Sequence, residues 1–458
     1  MPLPPLIEIV PLAKPVHAEI TVPGSKSITN RALVLAALAD GETTLQGALW
    51  SEDTQVMVEC LQELGYMVNV APDPNETCNR TITVYGLGGK VPRGGTVEQP
   101  LELFVGNAGT AARFLAAMVC LGEGVYRLHG VPRMHERPQA ALFVALRQLG
   151  YRIDCANDKL PALVHGAGPK AGAKCTVSIE ESSQFASALL LGAKIGGWKI
   201  EITGENAEES PYVVMTSELV KVFPHVGGKF QIEPDASSGS YFWGAGWFML
   251  IFDLRQARDA ALKELGRPMQ RGESLSLRSY EKSEITVSKW PGSHWQIDGD
   301  FTIFFRAHHC NPPSEVSRQH DLGDSIMTGI SLASLAGQAI KFTDLGRLRV
   351  QECERVVALR TELTKCGAKV VEEGDTLTVY PSQLHGAEIE TYNDHRMAMC
   401  FAILGLKVPG IKIKNPACVK KTFPNFFQKL ATAPPHGLGA TILDASGRKL
   451  PHEELFAG

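Results

Sequence analysis

The sequence predicts an α/β protein built by repetition, in which strands and helices alternate along all 458 residues. One unit recurs: a polar turn, a helix rich in Ala and Leu, a glycine break and a short β-branched strand. Its copies start near residues 25, 107, 182, 237, 323 and 393. Several copies then carry a second helix that ends at a glycine, a common helix stop, as in 56–65, 141–150 and 357–367. Six units fit two domains of three units each.

The composition places the chain among ordinary globular proteins. Hydrophobic residues make up 44% and charged residues 21%, which excludes a disordered tail protein. The net charge is -4, from 45 basic and 49 acidic side chains, so a dedicated DNA-binding protein or a polybasic membrane protein is not expected. Any anion site must therefore be a local cluster of cations.

Cysteine usage and the N-terminal segment predict a cytoplasmic protein with reduced thiols. The ten cysteines are scattered without a C-x-x-C pair, which argues against a zinc site and a disulfide framework. The segment MPLPPLIEIVPLAKP is broken by prolines and is not a signal peptide. The triplet His308-His309-Cys310 has no spaced partner set, so no metal is expected there.

The polar turns have two possible uses. Each offers Ser, Thr, Asn or Asp just before a helix, where these residues cap, and an open helix N-terminus also binds anions. Capping alone explains any single turn. The turn PGSKSITNR lacks the glycines of a Walker loop, which argues against nucleotide triphosphate binding. Lys26 and Ser27 lie about one helical turn from Arg31, so the three can face one ligand.

Two later clusters combine arginine with an acid. In PRMHERP, Arg133 and Arg137 flank Glu136 just before a helix, and arginine binds phosphate or carboxylate in a bidentate fork. In RLRVQECER, Glu352 and Arg355 can share a helix face, where an ionised carboxylate could exchange protons with an anionic substrate. A solvated surface of mixed charge is the alternative for both clusters.

The segment Tyr392–Arg396 precedes an apolar helix. Asn393 and Asp394 can cap that helix, but His395 and Arg396 then place cations at the positive end of its dipole. An anionic ligand would resolve the conflict. Lys420 and Lys421 form another cationic turn.

Six motifs together resemble the 5-enolpyruvylshikimate-3-phosphate synthase family. The motifs are PGSKSITNRAL, NAGTAARFLAA, PRMHERP, SSQF, TYNDHRMAMCF and KKTFPNFF, and they occur in the same order as in that family. The resemblance implies a two-lobed inside-out α/β barrel with three repeated βαβαββ units in each lobe and the site in the cleft between lobes. It implies that residues 1–23 and 245–458 form lobe 1 and that 24–244 form lobe 2, which binds shikimate 3-phosphate.

The implied reaction transfers the enolpyruvyl group of phosphoenolpyruvate to the 5-hydroxyl of shikimate 3-phosphate and releases phosphate, by addition and elimination in the shikimate pathway. The resemblance also implies a monomer that needs no cofactor or metal and binds neither nucleic acid nor membrane, with glyphosate as an inhibitor. The residues implied for shikimate 3-phosphate are Lys26, Ser27, Arg31, Ser182, Ser183, Gln184 and Tyr212. Those implied for phosphoenolpyruvate are Lys26, Asn107, Gly109, Thr110, Arg137, Arg355, Arg396 and Lys421.

Two acids carry the implied proton transfers. Asp324 accepts the 5-hydroxyl proton, and Glu352 exchanges a proton with the methylene carbon, with His395 beside it and Lys26 touching both substrates.

The chain also departs from the family. Gln351 replaces the lysine of the usual Arg-Val-Lys-Glu, and Arg347 stands where relatives carry Asn. We hypothesise that the cation has moved from position 351 to 347 and that both residues bind substrate. Glu209 replaces a serine, and residues 250–310 match poorly, although LRQARDAALKELG still predicts a helix.

Two alternatives remain open at this point. UDP-N-acetylglucosamine enolpyruvyl transferase resembles this fold, but the Gly-Ser-Lys-Ser turn and SSQF favour the shikimate substrate. A catalytically impaired polyanion-binding scaffold is suggested by Gln351 and Glu209, whereas retention of both Asp324 and Glu352 favours an active enzyme.

Overall fold

A computed structural model describes residues 3–204, 210–266, 281–305 and 312–457. Glu209 and the triplet His308-His309-Cys310 lie outside these ranges.

The chain divides into two compact units. Unit 1 comprises Met1–Val22, Ala236–Gly292 and Ile297–Gly458, and unit 2 comprises Pro23–Asp235 and Ser293–Gln296. The second boundary falls before the expected 244/245 crossing because the helix that begins at Ala236 lies whole in unit 1.

The strands of the described residues are β1 Leu6–Val10, β2 His17–Ile20, β3 Asp40–Leu49, β4 Met67–Pro72, β5 Asn79–Leu87, β6 Leu101–Phe104, β7 Glu123–His129, β8 Arg152–Cys155, β9 Ala162–Ala167, β10 Lys174–Ser178, β11 Lys199–Thr203, β12 Gly228–Gln231, β13 Glu284–Val287, β14 Glu315–Ser317, β15 Ile340–Thr343, β16 Lys369–Glu373, β17 Thr376–Tyr380, β18 Glu388–Ile389, β19 Lys412–Lys414 and β20 Thr441–Asp444.

The α-helices of the same residues are α1 Lys26–Leu38, α2 Glu52–Glu63, α3 Gly109–Met118, α4 Pro132–Glu136, α5 Ala140–Gln148, α6 Gln184–Gly196, α7 Pro211–Val222, α8 Ala236–Leu265, α9 Phe301–Phe304, α10 Ile326–Leu332, α11 Arg355–Lys365, α12 His395–Gly405 and α13 Phe426–Ala431.

Unit 2 is built around three buried helices. Helices α1, α3 and α6 begin within a few residues of the turns predicted near 25, 107 and 182, and they pack against one another. Every residue of α1 from Ile28 to Leu38 is buried, and from Ala32 onward the helix is apolar on all sides, as expected for a core helix. The surrounding sheets have the strand orders β12-β3-β5-β4, β6-β7-β9-β8 and β10-β11.

Unit 1 repeats this plan. Helices α8, α10 and α12 begin close to the turns predicted near 237, 323 and 393, and they also pack against one another. The sheets of unit 1 have the orders β18-β19-β1-β20, β14-β15-β17-β16 and β13-β2. In β14-β15-β17-β16, as in β6-β7-β9-β8 of unit 2, the first strand pair is parallel and the other two pairs are antiparallel. The elements of both these sheets follow the chain order β-α-β-α-β-β, with the short helix α4 as an extra element before α5 in unit 2.

The glycine stops predicted from the sequence are confirmed. Gly65, Gly150 and Gly367 follow α2, α5 and α11 with φ of +92°, +91° and +88°. These values lie in the left-handed half of the backbone map, which glycine adopts without a steric penalty from Cβ. Each glycine therefore ends its helix and turns the chain toward the next strand.

The divergent segment after residue 250 begins as the predicted helix. LRQARDAALKEL forms the second half of α8, which runs unbroken for 30 residues. Asp253, the residue before this stretch, is buried and accepts a hydrogen bond from the Ser283 backbone N–H at 2.7 Å, just before β13. Despite the length of α8, no helix of the described residues combines the length and apolar character needed to cross a bilayer.

Candidate active site

The sequence-predicted residues form two clusters, one in each unit. In unit 2, Lys26 opens α1, and its Nζ lies 3.1 Å from Oδ2 of Asp53 in the first turn of α2. The Asp53 side chain is 6% exposed and that of Lys26 is 22% exposed, so the ammonium group is held in place while still reaching solvent. Sequence reasoning missed Asp53, since an acid in the first turn of a helix signals only a favourable dipole contact.

Arg31 lies deeper than its neighbour Ser27. Its guanidinium donates to Thr216 Oγ1 at 2.7 Å, to Ser187 Oγ at 3.0 Å and to the Ser27 carbonyl at 2.9 Å. Its carbon Cζ lies 5.2 Å from the ring centre of Phe114. Burial lowers the Arg31 pKa to about 10. Arg31 therefore joins α1 to α6 and α7, and protein groups engage all its nitrogen atoms.

The starts of α3 and α6 meet through Gln184 and Thr110. Gln184 Nε2 donates to Thr110 Oγ1 at 3.3 Å, and Gln184 Oε1 accepts from Arg113 Nη1 at 3.0 Å. Arg113 also donates to the Pro138 carbonyl at 2.9 Å, which ties the PRMHERP loop to both helices. Burial, and after it the neighbouring Arg137, lowers the Arg113 pKa to about 9. Three motifs that are distant in sequence thus share one buried network.

Gly109 lies where two guanidinium groups approach the backbone closely. A Cβ at this position would lie 2.4 Å from Arg113 Nη1 and 2.7 Å from Arg137 Nη2. Arg137 Nη1 donates to the Asn107 carbonyl at 3.1 Å, and the buried Asn107 Oδ1 has no hydrogen-bond partner among the described residues. Arg133, in contrast, pairs with Glu136 on the exposed side of α4. The predicted arginine pair therefore separates into one surface residue and one site residue.

The SSQF motif begins α6. Ser183 is buried, Ser182 is half-buried, and Ser182 Oγ accepts from the Gln184 backbone N–H at 3.3 Å. The Tyr212 carbonyl, in the first turn of α7, accepts from Thr216 Oγ1 at 2.7 Å and from Ser187 Oγ at 3.3 Å. The structure therefore brings the predicted serines, Gln184 and Tyr212 onto the facing helices α6 and α7.

Arg355 is the centre of the unit 1 cluster. Its side chain is 1% exposed, and its Nη2 lies 2.8 Å from Glu352 Oε2. Its Nη1 lies 3.6 Å from Asp324 Oδ2 and donates to the Gln351 side-chain oxygen. Burial alone would lower its pKa, but Asp394, Glu352 and Asp324 outweigh that effect and raise the Arg355 pKa further above its ordinary value.

Asp324 lies among three guanidinium groups. Arg318 Nη2 lies 2.7 Å from Asp324 Oδ1, and Arg396 Nη2 lies 3.4 Å from Oδ2. Burial acts to raise the Asp324 pKa, but Arg396, Arg318 and Arg355 together hold it well below the usual range of a carboxyl. In this arrangement Asp324 is an ionised acceptor and a weak base.

Glu352 joins two cations from distant parts of the chain. Its Oε1 lies 3.0 Å from Lys421 Nζ, and its Oε2 faces Arg355. The side chains of Glu352 and Lys421 are 15% and 13% exposed, so the carboxylate is partly accessible. The KKTF turn and the RLRVQECER segment thus meet at this carboxylate.

The predicted cap at the start of α12 is confirmed. Asp394 Oδ1 accepts from the Arg396 backbone N–H at 2.9 Å, and Oδ2 accepts from Arg355 Nε at 2.6 Å. His395 is 2% exposed, and its Nδ1 lies 3.7 Å from Asp394 Oδ1. The Arg396 side chain extends to Ser237 and to Tyr241 Oη of α8. The Arg396 guanidinium is therefore compensated by Asp324, and Asp394 caps the helix start.

The sequence left two alternatives open for the RLRVQECER segment, a solvated surface and a buried site. The segment contains one arginine of each kind. Arg349 pairs with Glu354, Glu372 and Asp375 at 2.7, 2.8 and 2.9 Å in a salt-bridge network at the surface. Six residues later, Arg355 is buried in the site. Arg347 is half-buried in the 3₁₀ helix Gly346–Val350.

Comparisons with known proteins identify the family of the chain. The family model of EPSP synthase (3-phosphoshikimate 1-carboxyvinyltransferase) matches residues 11–226 and 223–430. The chain belongs to the EPSP synthase family. A 3-phosphoshikimate 1-carboxyvinyltransferase of Trichormus variabilis is 36% identical over 446 residues, which cover 92% of this chain and 98% of that protein. One of Opitutus terrae is 35% identical over 463 residues, which cover 94% and 98%.

Solved structures show the same fold at lower identity. An EPSP synthase from Acinetobacter baumannii superposes with a TM-score of 0.64 at 20% identity, covering 96% of this chain and all of that one. The enolpyruvyl transferase NikO from Streptomyces tendae gives 0.59 at 16% identity, covering 98% and 100%. Both similarities concern the mixed α/β fold of two domains.

Sequence reasoning missed two further residues beside Asp324. Arg318 pairs with it directly, and Asp298 accepts from the Ser325 backbone N–H at 2.6 Å. Burial, and after it the charge of Asp324, raises the Asp298 pKa to about 6. Neither residue belongs to a motif with recognisable spacing, so only the fold reveals them. Among the described residues, no group of three or more His, Cys, Asp or Glu side chains could hold a metal ion.

Proposed function

We propose that the two clusters divide the recognition and chemistry of the family's reaction. As an EPSP synthase, the chain transfers the enolpyruvyl group of phosphoenolpyruvate to shikimate 3-phosphate in the shikimate pathway. Unit 2 is proposed to bind shikimate 3-phosphate through Lys26, Ser27 and the start of α6. Its α3 start and Arg137 are proposed to serve phosphoenolpyruvate together with the cations of unit 1.

One observation carries this proposal: Arg355 contacts both acids proposed for proton transfer. Its Nη2 lies 2.8 Å from Glu352, and its Nη1 lies 3.6 Å from Asp324. A buried guanidinium between two carboxylates is also a good binding group for an anionic substrate, since charge-assisted hydrogen bonds contribute about 1.5–3 kcal/mol each. The carboxylates are therefore proposed to hold the cations in place until the polyanionic substrates arrive.

The low pKa of Asp324 sets a condition on its role as a base. The three guanidiniums that stabilise its ionised form include Arg355 and Arg396, both proposed to bind phosphoenolpyruvate. Once these arginines engage a substrate phosphate or carboxylate, their effect on Asp324 weakens and its pKa rises. We propose that substrate binding in this way makes Asp324 basic enough to accept the 5-hydroxyl proton.

Glu352 is proposed to exchange the second proton. The oxygen of the 5-hydroxyl bonds to the enol carbon while the methylene carbon gains a proton. In the elimination step a proton leaves the resulting methyl group and the phosphate departs with its bonding electrons. Lys421 and Arg355 hold the two Glu352 oxygens, so the carboxylate has a fixed orientation. His395 is proposed to orient this carboxylate.

The finer features of the family remain proposals for this chain. We propose an inside-out barrel of three βαβαββ units in each domain, supported by the order of elements in the two sheets that show it completely. Monomeric state, cytoplasmic location and inhibition by glyphosate also remain predictions from the resemblance.

Phosphate release from the purified protein tests the proposed function. We expect release that requires both shikimate 3-phosphate and phosphoenolpyruvate and that falls roughly 10²–10⁴-fold in Glu352→Gln, as expected for loss of a proton-transfer group. Glu373→Gln, an exposed position on β16, is the matched control and should retain full activity. Binding of shikimate 3-phosphate without release would instead support the impaired scaffold. Release with UDP-N-acetylglucosamine in place of shikimate 3-phosphate would support the alternative transferase.

A further inference from the structure

The turn before α12 has a strained backbone. Tyr392 and Asn393 have φ of +54° and +55°, consecutive residues in the left-handed region. Asparagine tolerates this region, but for tyrosine the Cβ clashes with the backbone and costs free energy. Such a conformation persists only where surrounding contacts impose it, and it is concentrated at functional sites.

Specific side-chain contacts hold this turn. Tyr392 Oη donates to Glu362 Oε1 at 2.8 Å, and the Glu390 backbone N–H donates to Glu362 Oε2 at 3.2 Å. Glu362 is fully buried and pairs with Lys365, whose Nζ lies 2.8 Å from Oε1. On the other side, Asn415 Nδ2 donates to Asn393 Oδ1 at 3.0 Å.

Helix α11 contacts the turn at two points on one face. Arg355 and Glu362 are seven residues apart, which is within about 20° of two full helical turns. Arg355, in the first turn of α11, pairs with Asp394, and Glu362 accepts from Tyr392. The direction in which His395 and Arg396 leave the turn is therefore fixed relative to Arg355.

We infer that Tyr392 and Glu362 are positioning residues, which hold the strained turn so that Asp394, Arg396 and Arg355 keep their mutual geometry. The inference rests on the proposed role of Arg355 and Arg396 in binding phosphoenolpyruvate. Tyr392 itself is 39% exposed, and its hydroxyl bonds Glu362 rather than a proposed proton-transfer acid, so its effect is transmitted through the backbone of the turn to Asp394.

Tyr392→Phe tests the inference, because it removes one hydroxyl and leaves Glu362 bonded to Lys365 and to the Glu390 N–H. We expect the affinity for phosphoenolpyruvate, measured by calorimetry with shikimate 3-phosphate present and with Glu352→Gln in both proteins to block turnover, to fall about tenfold (about 1.4 kcal/mol). The same factor should appear in KM during turnover. Affinity for shikimate 3-phosphate alone should stay within about twofold, given the proposed role of the unit 2 residues in binding it.

Tyr380→Phe on β17 is the matched control, since this ring lies against Lys369 and its strand belongs to the sheet β14-β15-β17-β16, which does not include the turn. An affinity for phosphoenolpyruvate as little changed by Tyr392→Phe as by Tyr380→Phe would overturn the inference.

Glu362→Gln is the second variant, and its effect should not add to that of Tyr392→Phe. If the parent binds phosphoenolpyruvate without turnover, the proposed function fails while the binding comparison still decides the inference. Absence of that binding in the parent would overturn both.

Discussion

Arg355 and Asp394 form a buried ion pair in which Nε lies 2.6 Å from Oδ2 and Nη2 lies 3.2 Å from Oδ1. Their side chains are 1% and 0% exposed. The pair joins the start of α11 to the start of α12, which are remote in sequence and carry most of the proposed chemistry of unit 1. The same Asp394 carboxylate caps α12, so one side chain fixes both a helix start and a guanidinium.

Asp394→Asn should destabilise the protein strongly. The amide keeps an oxygen for the cap but leaves the Arg355 guanidinium less compensated in a buried place, and breaking a buried pair costs about 3–5 kcal/mol. Denaturant unfolding measures this difference. Asp375→Asn is the control, because its pair with Arg349 is exposed and such pairs contribute about 0–1 kcal/mol. Equal losses in the two variants would show that the buried pair adds no special stability.

Gly109→Ala should weaken phosphoenolpyruvate binding. The added Cβ would lie 2.4 Å from Arg113 Nη1 and 2.7 Å from Arg137 Nη2, so at least one guanidinium must move. We expect the KM for phosphoenolpyruvate to rise about tenfold or more, since displacing one charge-assisted hydrogen bond costs about 1.5–3 kcal/mol. Gly292→Ala, where a Cβ meets nothing within 4 Å, is the control. An unchanged KM would mean that the guanidinium displaced by the Cβ does not contribute to binding this substrate.

The helix positions could be predicted from the sequence, because turn chemistry and glycine stops act locally. A helix begins close to each of the six predicted turns, and Gly65 adopts the expected left-handed conformation. Partners such as Arg113 and Arg318 could not be predicted. Their roles depend on burial and on contacts with residues that the fold brings near, as Arg113 shows by bonding Gln184, 71 positions away.

The sequence also could not predict whether a charged side chain points to the surface or into the site. Arg349 and Arg355 lie in one charged segment, yet the first forms a surface network and the second is buried. The segment changes from a 3₁₀ helix ending at Val350 to α11 beginning at Arg355, so no single helical period relates the two residues. Periodicity assigns a face only within one regular element.

Asp298 should make stability fall as pH rises from about 4 to about 6. Its pKa is raised to about 6 by burial and by Asp324, with Arg396 acting against the shift. Between its unfolded value of about 3.9 and about 6, the folded state therefore binds more protons than the unfolded state. Stability then decreases with rising pH by at most about 1.4 kcal/mol per unit from this group.

Asp298→Asn isolates this contribution. The amide oxygen can still accept from the Ser325 N–H, but the group no longer titrates. We expect the free energy of unfolding of the variant, relative to the parent, to increase across this pH window. Asp259→Asn, at an exposed position of α8, is the control. Its free energy of unfolding should change with pH in the same way as that of the parent. A constant difference between Asp298→Asn and the parent would mean that Asp298 titrates at an ordinary value.

The hypothesis that a cation has moved from position 351 to 347 can be tested by exchange. Gln351 accepts a hydrogen bond from Arg355 Nη1, which a lysine cannot do. Gln351→Lys alone should therefore lower kcat/KM about tenfold, since a second cation beside Arg355 is unfavourable by roughly 1–2 kcal/mol at an effective dielectric constant above 20. Arg347→Asn alone should raise the KM for shikimate 3-phosphate.

The double variant, Gln351→Lys with Arg347→Asn, restores the family's pattern and should recover the KM for shikimate 3-phosphate to within about threefold of the parent, because the net charge of the segment is unchanged. Val350→Lys, which adds the same charge at a 62% exposed neighbour, is the control and should leave KM unaltered. A double variant whose effect equals or exceeds the product of the two single effects would contradict charge relocation. Gln351 would then be a fixed acceptor for Arg355, and Arg347 an independent substrate contact.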